Sequence, residues 1–133
     1  MNWPLFAAGM VMASGAILHG LVGDETLRQI VRLEVPANRF GSATDNKVAL
    51  RITWHFGTIA FAFVGVWLIA TATQPKAAFA LGASYLSASH LSCYALLAGS
   101  VRIYRHGLLS LYRHPSVLLV ISAALTWWGS SSL

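Results

Sequence analysis

Charged side chains are scarce in this sequence. Of its 133 residues, 10% are charged, with 9 Lys and Arg and 4 Asp and Glu, whereas an ordinary globular chain carries roughly 25%. A soluble domain of this size needs more charge to cover its surface, and a disordered chain needs a polar composition. Hydrophobic residues make up 56%, and the mean hydropathy is +0.63. The composition therefore predicts one integral membrane domain over residues 1–133.

Other absences exclude further classes of protein. Cys93 is the only cysteine, so an internal disulfide framework is excluded. The net charge of +5 rests on only 9 basic side chains, and we expect no nucleic-acid partner. The sequence contains neither a nucleophile elbow nor a Gly-rich loop that follows a strand, so hydrolase and nucleotide-binding functions lack support. An enzymatic role is not indicated.

Four apolar stretches are present instead. The first three are long enough to cross a hydrocarbon core of roughly 30 Å. The fourth is shorter and crosses only if its polar tail lies in the headgroup layer. No Lys or Arg precedes the first stretch, which favours a retained helix over a signal peptide. The sequence therefore predicts an all-α fold, a bundle of four transmembrane helices with spans at about 5–22, 52–72, 77–99 and 116–131.

Basic residues are distributed unequally between the two predicted membrane surfaces. Lys76 lies on one side, and the other Lys and Arg lie on or beside the connectors 23–46 and 100–115. By the positive-inside rule these connectors are cytoplasmic, and both termini lie outside the cell (inner) membrane. We expect anionic headgroups to contact the basic face, which is formed by Arg28, Arg32, Arg39, Lys47, Arg51, Arg102, Arg105 and Arg113.

The first connector contains a helical pattern. Asp24 is a good N-cap, and Leu27, Ile30 and Val31 follow at helical spacing. Pro36 would end the helix. This pattern predicts a short amphipathic interfacial helix after span one, and a solvated loop helix without a lipid contact is the alternative.

The second connector contains a repeated Tyr-Arg-His triplet, at residues 104–106 and 112–114. Tyrosine suits the headgroup layer and arginine binds phosphate. Each copy is predicted to anchor one end of the connector at the interface through Arg105, His106, Arg113 and His114.

Three histidines lie inside apolar spans, where an ionisable side chain is costly and indicates function. His19 and His55 have similar predicted depths, so their imidazoles could meet across a helix contact. Such a pair could bind haem b axially or supply two ligands to Zn, Cu or Fe. His90 lies roughly 8 Å deeper by helical rise, and it becomes a third metal ligand only if span three is tilted or offset.

The alternative is that these histidines are packing residues. Arg51 and Thr58 share a helix face with His55, and Ser87 and Tyr94 share one with His90. These four residues form a predicted polar seam, in which interhelical hydrogen bonds hold the bundle together. A proton relay through His90 and His55 is a third interpretation, because histidine titrates near physiological pH.

Two resemblances accompany these patterns. The segment LHGLVGDE at 18–25, with Leu27, Arg28 and Trp54–His55, resembles small bacterial four-helix integral membrane proteins of unassigned function. The resemblance covers the first half of the chain and implies no biochemical role. Arg113–His114–Pro115 resembles the start of the cofactor motif in membrane methyltransferases of the isoprenylcysteine carboxyl methyltransferase type. That motif continues to paired glutamates, but this sequence has no acidic residue after Asp45. We therefore expect no methyltransferase activity.

Three functional hypotheses follow from these observations. The first is a non-catalytic membrane protein, a small subunit of a homo-oligomer or of a larger membrane complex. The second is a membrane protein that binds haem or a transition metal through histidine. A small transporter or proton pathway is the third.

Overall fold

The computed structural model describes residues 1–32, 35–39, 41–107 and 116–133. For Ile30, Val31 and His106 it describes the backbone and not the side chain. The described residues fold into four α-helices, so the all-α prediction is confirmed. The helices are α1 (Trp3–Arg32), α2 (Ala43–Thr73), α3 (Ala80–His106) and α4 (Ser116–Ser131).

Only α1 and α2 are long and apolar enough, among the described helices, to cross a membrane. Helix α3 has sufficient length, at 27 residues, but its serines and His90 lower its hydropathy. Helix α4 has 16 residues, which corresponds to about 24 Å at 1.5 Å per residue. The four-helix part of the prediction is confirmed, and the membrane-spanning part is supported for two helices.

Within the described residues, no separate interfacial helix follows span one. Helix α1 continues without a break through Gly23 to Arg32, so Asp24 lies inside a helix and is not an N-cap. Its carboxylate lies 2.7 Å from the Arg28 guanidinium, one turn later. An i,i+4 ion pair of this kind favours continuation of the helix, and Leu27 is buried within the same segment.

Helix α2 begins nine residues before the predicted span and includes the end of the predicted first connector, residues 43–46. Ser42 is its N-cap, and the Ser42 hydroxyl accepts a hydrogen bond from the Asp45 amide at 3.2 Å. The Asp45 carboxylate accepts one from the Ser42 amide at 2.9 Å. This reciprocal capping box fixes the start of the helix, and it places Lys47 and Arg51 in the first turns of α2.

The helices pack in the order α2, α1, α4, α3. Helix α1 packs most extensively on α2, α3 packs on α4, α1 also contacts α4, and α2 meets α3 only slightly. Small residues allow α1 and α2 to approach closely, because a Cβ on Gly65 would lie 2.7 Å from the Ala13 amide nitrogen. The apolar core contains Leu5, Ala8, Met12, Val64, Leu68, Ala72, Leu91 and Ala123.

Asn2 joins three helices at one end of the bundle. Its backbone amide donates to the Ala72 carbonyl at 2.9 Å, and its side-chain amide donates to the Gly129 carbonyl at 2.8 Å. Its side-chain oxygen accepts from the Leu5 amide at 3.2 Å. The start of α1 and the ends of α2 and α4 therefore lie together, which leaves the α1–α2 connector at the opposite end.

Candidate functional site

His19 makes the most specific contact between α1 and α2. Its ring is partly buried, and its Nδ1 lies 2.8 Å from the Thr58 hydroxyl oxygen. That hydroxyl also lies 3.3 Å from the Trp54 carbonyl oxygen, to which it donates. A threonine hydroxyl has a single proton, so when it donates to Trp54 it accepts from a protonated Nδ1. In the neutral ring, the Nε2 of His19 is then left as the acceptor.

The Trp54 indole lies flat on the His19 ring. The ring centroids are 4.3 Å apart and the planes are inclined by 6°. The indole Nε1 donates to the His19 carbonyl oxygen at 3.2 Å. A Cβ on Gly23 would overlap the indole, so this stacked arrangement requires glycine at position 23.

A polar cluster follows one turn further along α1 and consists of Asp24, Arg28, Arg51 and His55. The Asp24 carboxylate lies 2.7 Å from Arg28, 3.7 Å from the Nε2 of His55 and 4.0 Å from Arg51. The Asp24 side chain is 24% exposed, whereas the three partner side chains are about half exposed. The polar cluster therefore joins the last part of α1 to the first part of α2.

A series of aromatic rings in contact, the aromatic chain, runs from Trp54 on α2 to His90 on α3. The rings of Trp54, His19, Phe61, Tyr94 and His90 contact one another in that order, with centroid separations between 4.3 and 5.6 Å. Three of the four contacts are edge-to-face, which is a favoured geometry for aromatic pairs. The Phe61–Tyr94 contact bridges α2 and α3, the pair of neighbouring helices that otherwise touch least.

The four residues of the predicted polar seam have different surroundings. Arg51 belongs to the polar cluster, whereas Thr58 bonds to His19. Tyr94 lies in the aromatic chain, and Ser87 is buried on α3.

The predicted interface anchors are described only in part. The Arg105 side chain is exposed near the end of α3. The side chain of His106, and all of Arg113 and His114, lie outside the described residues.

The three histidines predicted as metal ligands have different neighbours. His19 bonds to Thr58, His55 lies beside Asp24, and His90 packs against Tyr94. No group of three or more His, Cys, Asp or Glu side chains is placed to hold a metal ion within the described part of the chain. A haem or a metal bound by His19 and His55 stays a prediction.

Sequence reasoning missed the roles of Gly23, Asp24 and Trp54. A signal existed for Asp24, because Arg28 follows it at the i,i+4 spacing of a helical ion pair. The stacking of Trp54 on His19 had no such signal, since it depends on the register of two helices.

Comparison of the chain with protein-family models, with curated proteins and with solved structures finds no match.

Proposed function

We propose that this chain is a non-catalytic integral membrane protein that serves as a small subunit of a homo-oligomer or of a larger membrane complex. The observation that carries this proposal is the surface of α1 and α2. In the most apolar window of each helix, 28% of the residues are buried, whereas the core helix of a soluble protein is mostly buried. The remaining apolar surface suits contact with lipid.

The contacts of the histidines favour a structural role. The ring of His19 joins α1 to α2 through a hydrogen bond and a stacking contact. His55 contributes to the polar cluster, and His90 extends the aromatic chain. Hydrogen bonds and close packing between helices are the interactions that hold membrane bundles together.

The exposure of His90 favours a partner chain. His90 lies on the exposed face of α3, beside the slight α2–α3 contact. An ionisable side chain within a membrane almost always faces the interior of a bundle or a polar cavity. In the proposed assembly, a second membrane chain covers His90 and packs against the adjacent part of α3.

The membrane part of the proposal is tested by washing membranes from expressing cells with alkaline carbonate. An integral protein stays in the pellet and requires detergent for release. Release by carbonate alone would contradict the proposal. A Soret band in the purified protein, or a stoichiometric metal content, would favour the histidine-ligated alternative instead.

The subunit part is tested by disulfide crosslinking through Cys93, which is exposed on α3 one turn after His90. Mild oxidation of native membranes should give a crosslinked product that contains the chain, and Cys93→Ser should abolish it. A chain that forms no crosslink, and that runs in mild detergent as a lone 14.3 kDa protein, would contradict the subunit role.

A further inference from the structure

An apolar groove runs along the exposed face of α2. Arg51 and His55 lie at one end of it, which forms the mouth of the groove. The groove is open to its surroundings and has a volume of about 390 Å³, and its lining residues all belong to α2: Val48, Arg51, Ile52, His55, Phe56 and Ile59. Arg51 and His55 are the polar residues of this lining. The other four side chains are aliphatic or aromatic, and Ile52, Phe56 and Ile59 are each exposed by more than 60%.

The charge of Arg51 is only partly neutralised by its neighbours. Asp24 lies 2.7 Å from Arg28 but 4.0 Å from Arg51, so the carboxylate is committed mainly to Arg28. The Arg51 guanidinium is half exposed and has five N–H donors. It can therefore donate to a phosphate at the mouth of the groove, and His55 offers a further donor one turn away.

The apolar stripe continues from this mouth along the helix. Ile52, Phe56 and Ile59 are spaced at i, i+4 and i+7, which places them on one face. They cover about 10 Å along the axis at 1.5 Å per residue, and they belong to a helix that is long and apolar enough to cross a bilayer. A basic group at one end and an apolar stripe at the other match a phosphate headgroup and its acyl chain.

We infer that this groove is a binding site for an anionic phospholipid, with the phosphate on Arg51 and His55 and an acyl chain along Ile52, Phe56 and Ile59. The inference rests on the proposed membrane location. It differs from general attraction between basic residues and an anionic surface, because it assigns one lipid to one groove.

Lipid binding is measured by native mass spectrometry of the detergent-solubilised protein, titrated with phosphatidylglycerol or phosphatidylcholine. The wild-type chain should retain one phosphatidylglycerol in preference to phosphatidylcholine. Arg51→Gln should weaken retention of phosphatidylglycerol about fivefold, the effect expected of one basic residue near an anionic surface. Arg51→Lys keeps the charge and should retain most of the binding, which also shows that position 51 tolerates substitution.

Arg105→Gln is the matched control, because it removes the same charge from an exposed position towards the same end of the bundle. Equal losses in Arg51→Gln and Arg105→Gln would overturn the inference in favour of general surface attraction, and so would no loss in either. Glycerol phosphate has the headgroup chemistry without acyl chains and should not displace the lipid. Its success as a competitor would also overturn the inference.

Failure of this inference can be distinguished from failure of the proposed function. A chain that resists carbonate extraction but retains both lipids equally is a membrane protein without this site. A chain that carbonate releases fails the proposed function itself.

Discussion

At the scale of single residues, the contact between α1 and α2 depends on the absence of a side chain at Gly23. The Trp54 indole occupies the space that a Cβ there would need, and in that position it stacks on His19 and donates to the His19 carbonyl. One glycine thus sets the geometry of the central histidine.

Gly23→Ala should therefore destabilise the bundle. The added methyl group displaces Trp54, and overpacking of this kind typically costs about 1–3 kcal/mol. Unfolding in detergent, followed by tryptophan fluorescence, measures the loss. Gly15→Ala is the control in the same helix, because nothing lies within 4 Å of its Cβ position. Alanine has a higher helix propensity than glycine, so Gly15→Ala should be neutral or slightly stabilising. A Gly23→Ala variant as stable as Gly15→Ala would show that the Trp54 contact does not require glycine at position 23.

The sequence was sufficient to select His19 and His55, because ionisable residues are conspicuous in an apolar run. It was not sufficient to identify their partners. Thr58 and Trp54 reach His19 only in the particular register of α1 against α2, and the i,i+4 pattern describes neighbours on one helix alone. Asp24 was misassigned as a cap for a related reason, since the same residue suits a helix start and an internal ion pair.

At the scale of helices, the connector between α1 and α2 is shorter than the sequence predicted. Hydropathy marks the apolar part of a helix, but it does not show where the hydrogen-bonded helix ends. Helix α1 continues ten residues beyond the predicted span, and α2 begins before its own. The capping box at Ser42 and Asp45 sets the second boundary by hydrogen bonding, to which hydropathy is insensitive.

Ser42→Ala should fray the start of α2. Loss of an N-cap serine costs about 1 kcal/mol, because the Asp45 amide loses its acceptor. Hydrogen exchange at the first-turn amides should accelerate, while exchange near Val64 in the buried part of α2 stays unchanged. Ser42→Asp supplies another capping oxygen and should restore slow exchange. Unaltered exchange in Ser42→Ala would mean that other contacts hold the start of the helix.

At the scale of the whole molecule, the order of packing could not be read from the sequence. The four apolar stretches do not specify which helices become neighbours, because small and apolar residues occur in every helix. In the structure α1 contacts both α2 and α4, and the α2–α3 contact is slight. The exposed position of His90 beside that contact follows from this arrangement.

The arrangement of the ends also bears on orientation. Asn2 bonds to Ala72 and Gly129, so the first and last described residues lie at the same end of the bundle. Arg51 belongs to the polar cluster towards the opposite end, near the α1–α2 connector. The positive-inside rule predicts that the basic end is cytoplasmic, which would leave both termini outside.

Reporter fusions test this orientation. A reporter that is active only outside the cytoplasm should be active when fused after Leu133 and inactive when inserted near Gly41. A reporter that is active only in the cytoplasm should give the opposite result at both positions. Helix α4 is shorter than a typical span of about 20 residues, so the fusion after Leu133 tests whether α4 crosses the membrane. Cytoplasmic activity at both positions would mean that α4 does not carry the chain across. The Asn2–Gly129 contact would then have to form without α4 crossing the bilayer, and a fusion placed before Asn2 would decide on which side it lies.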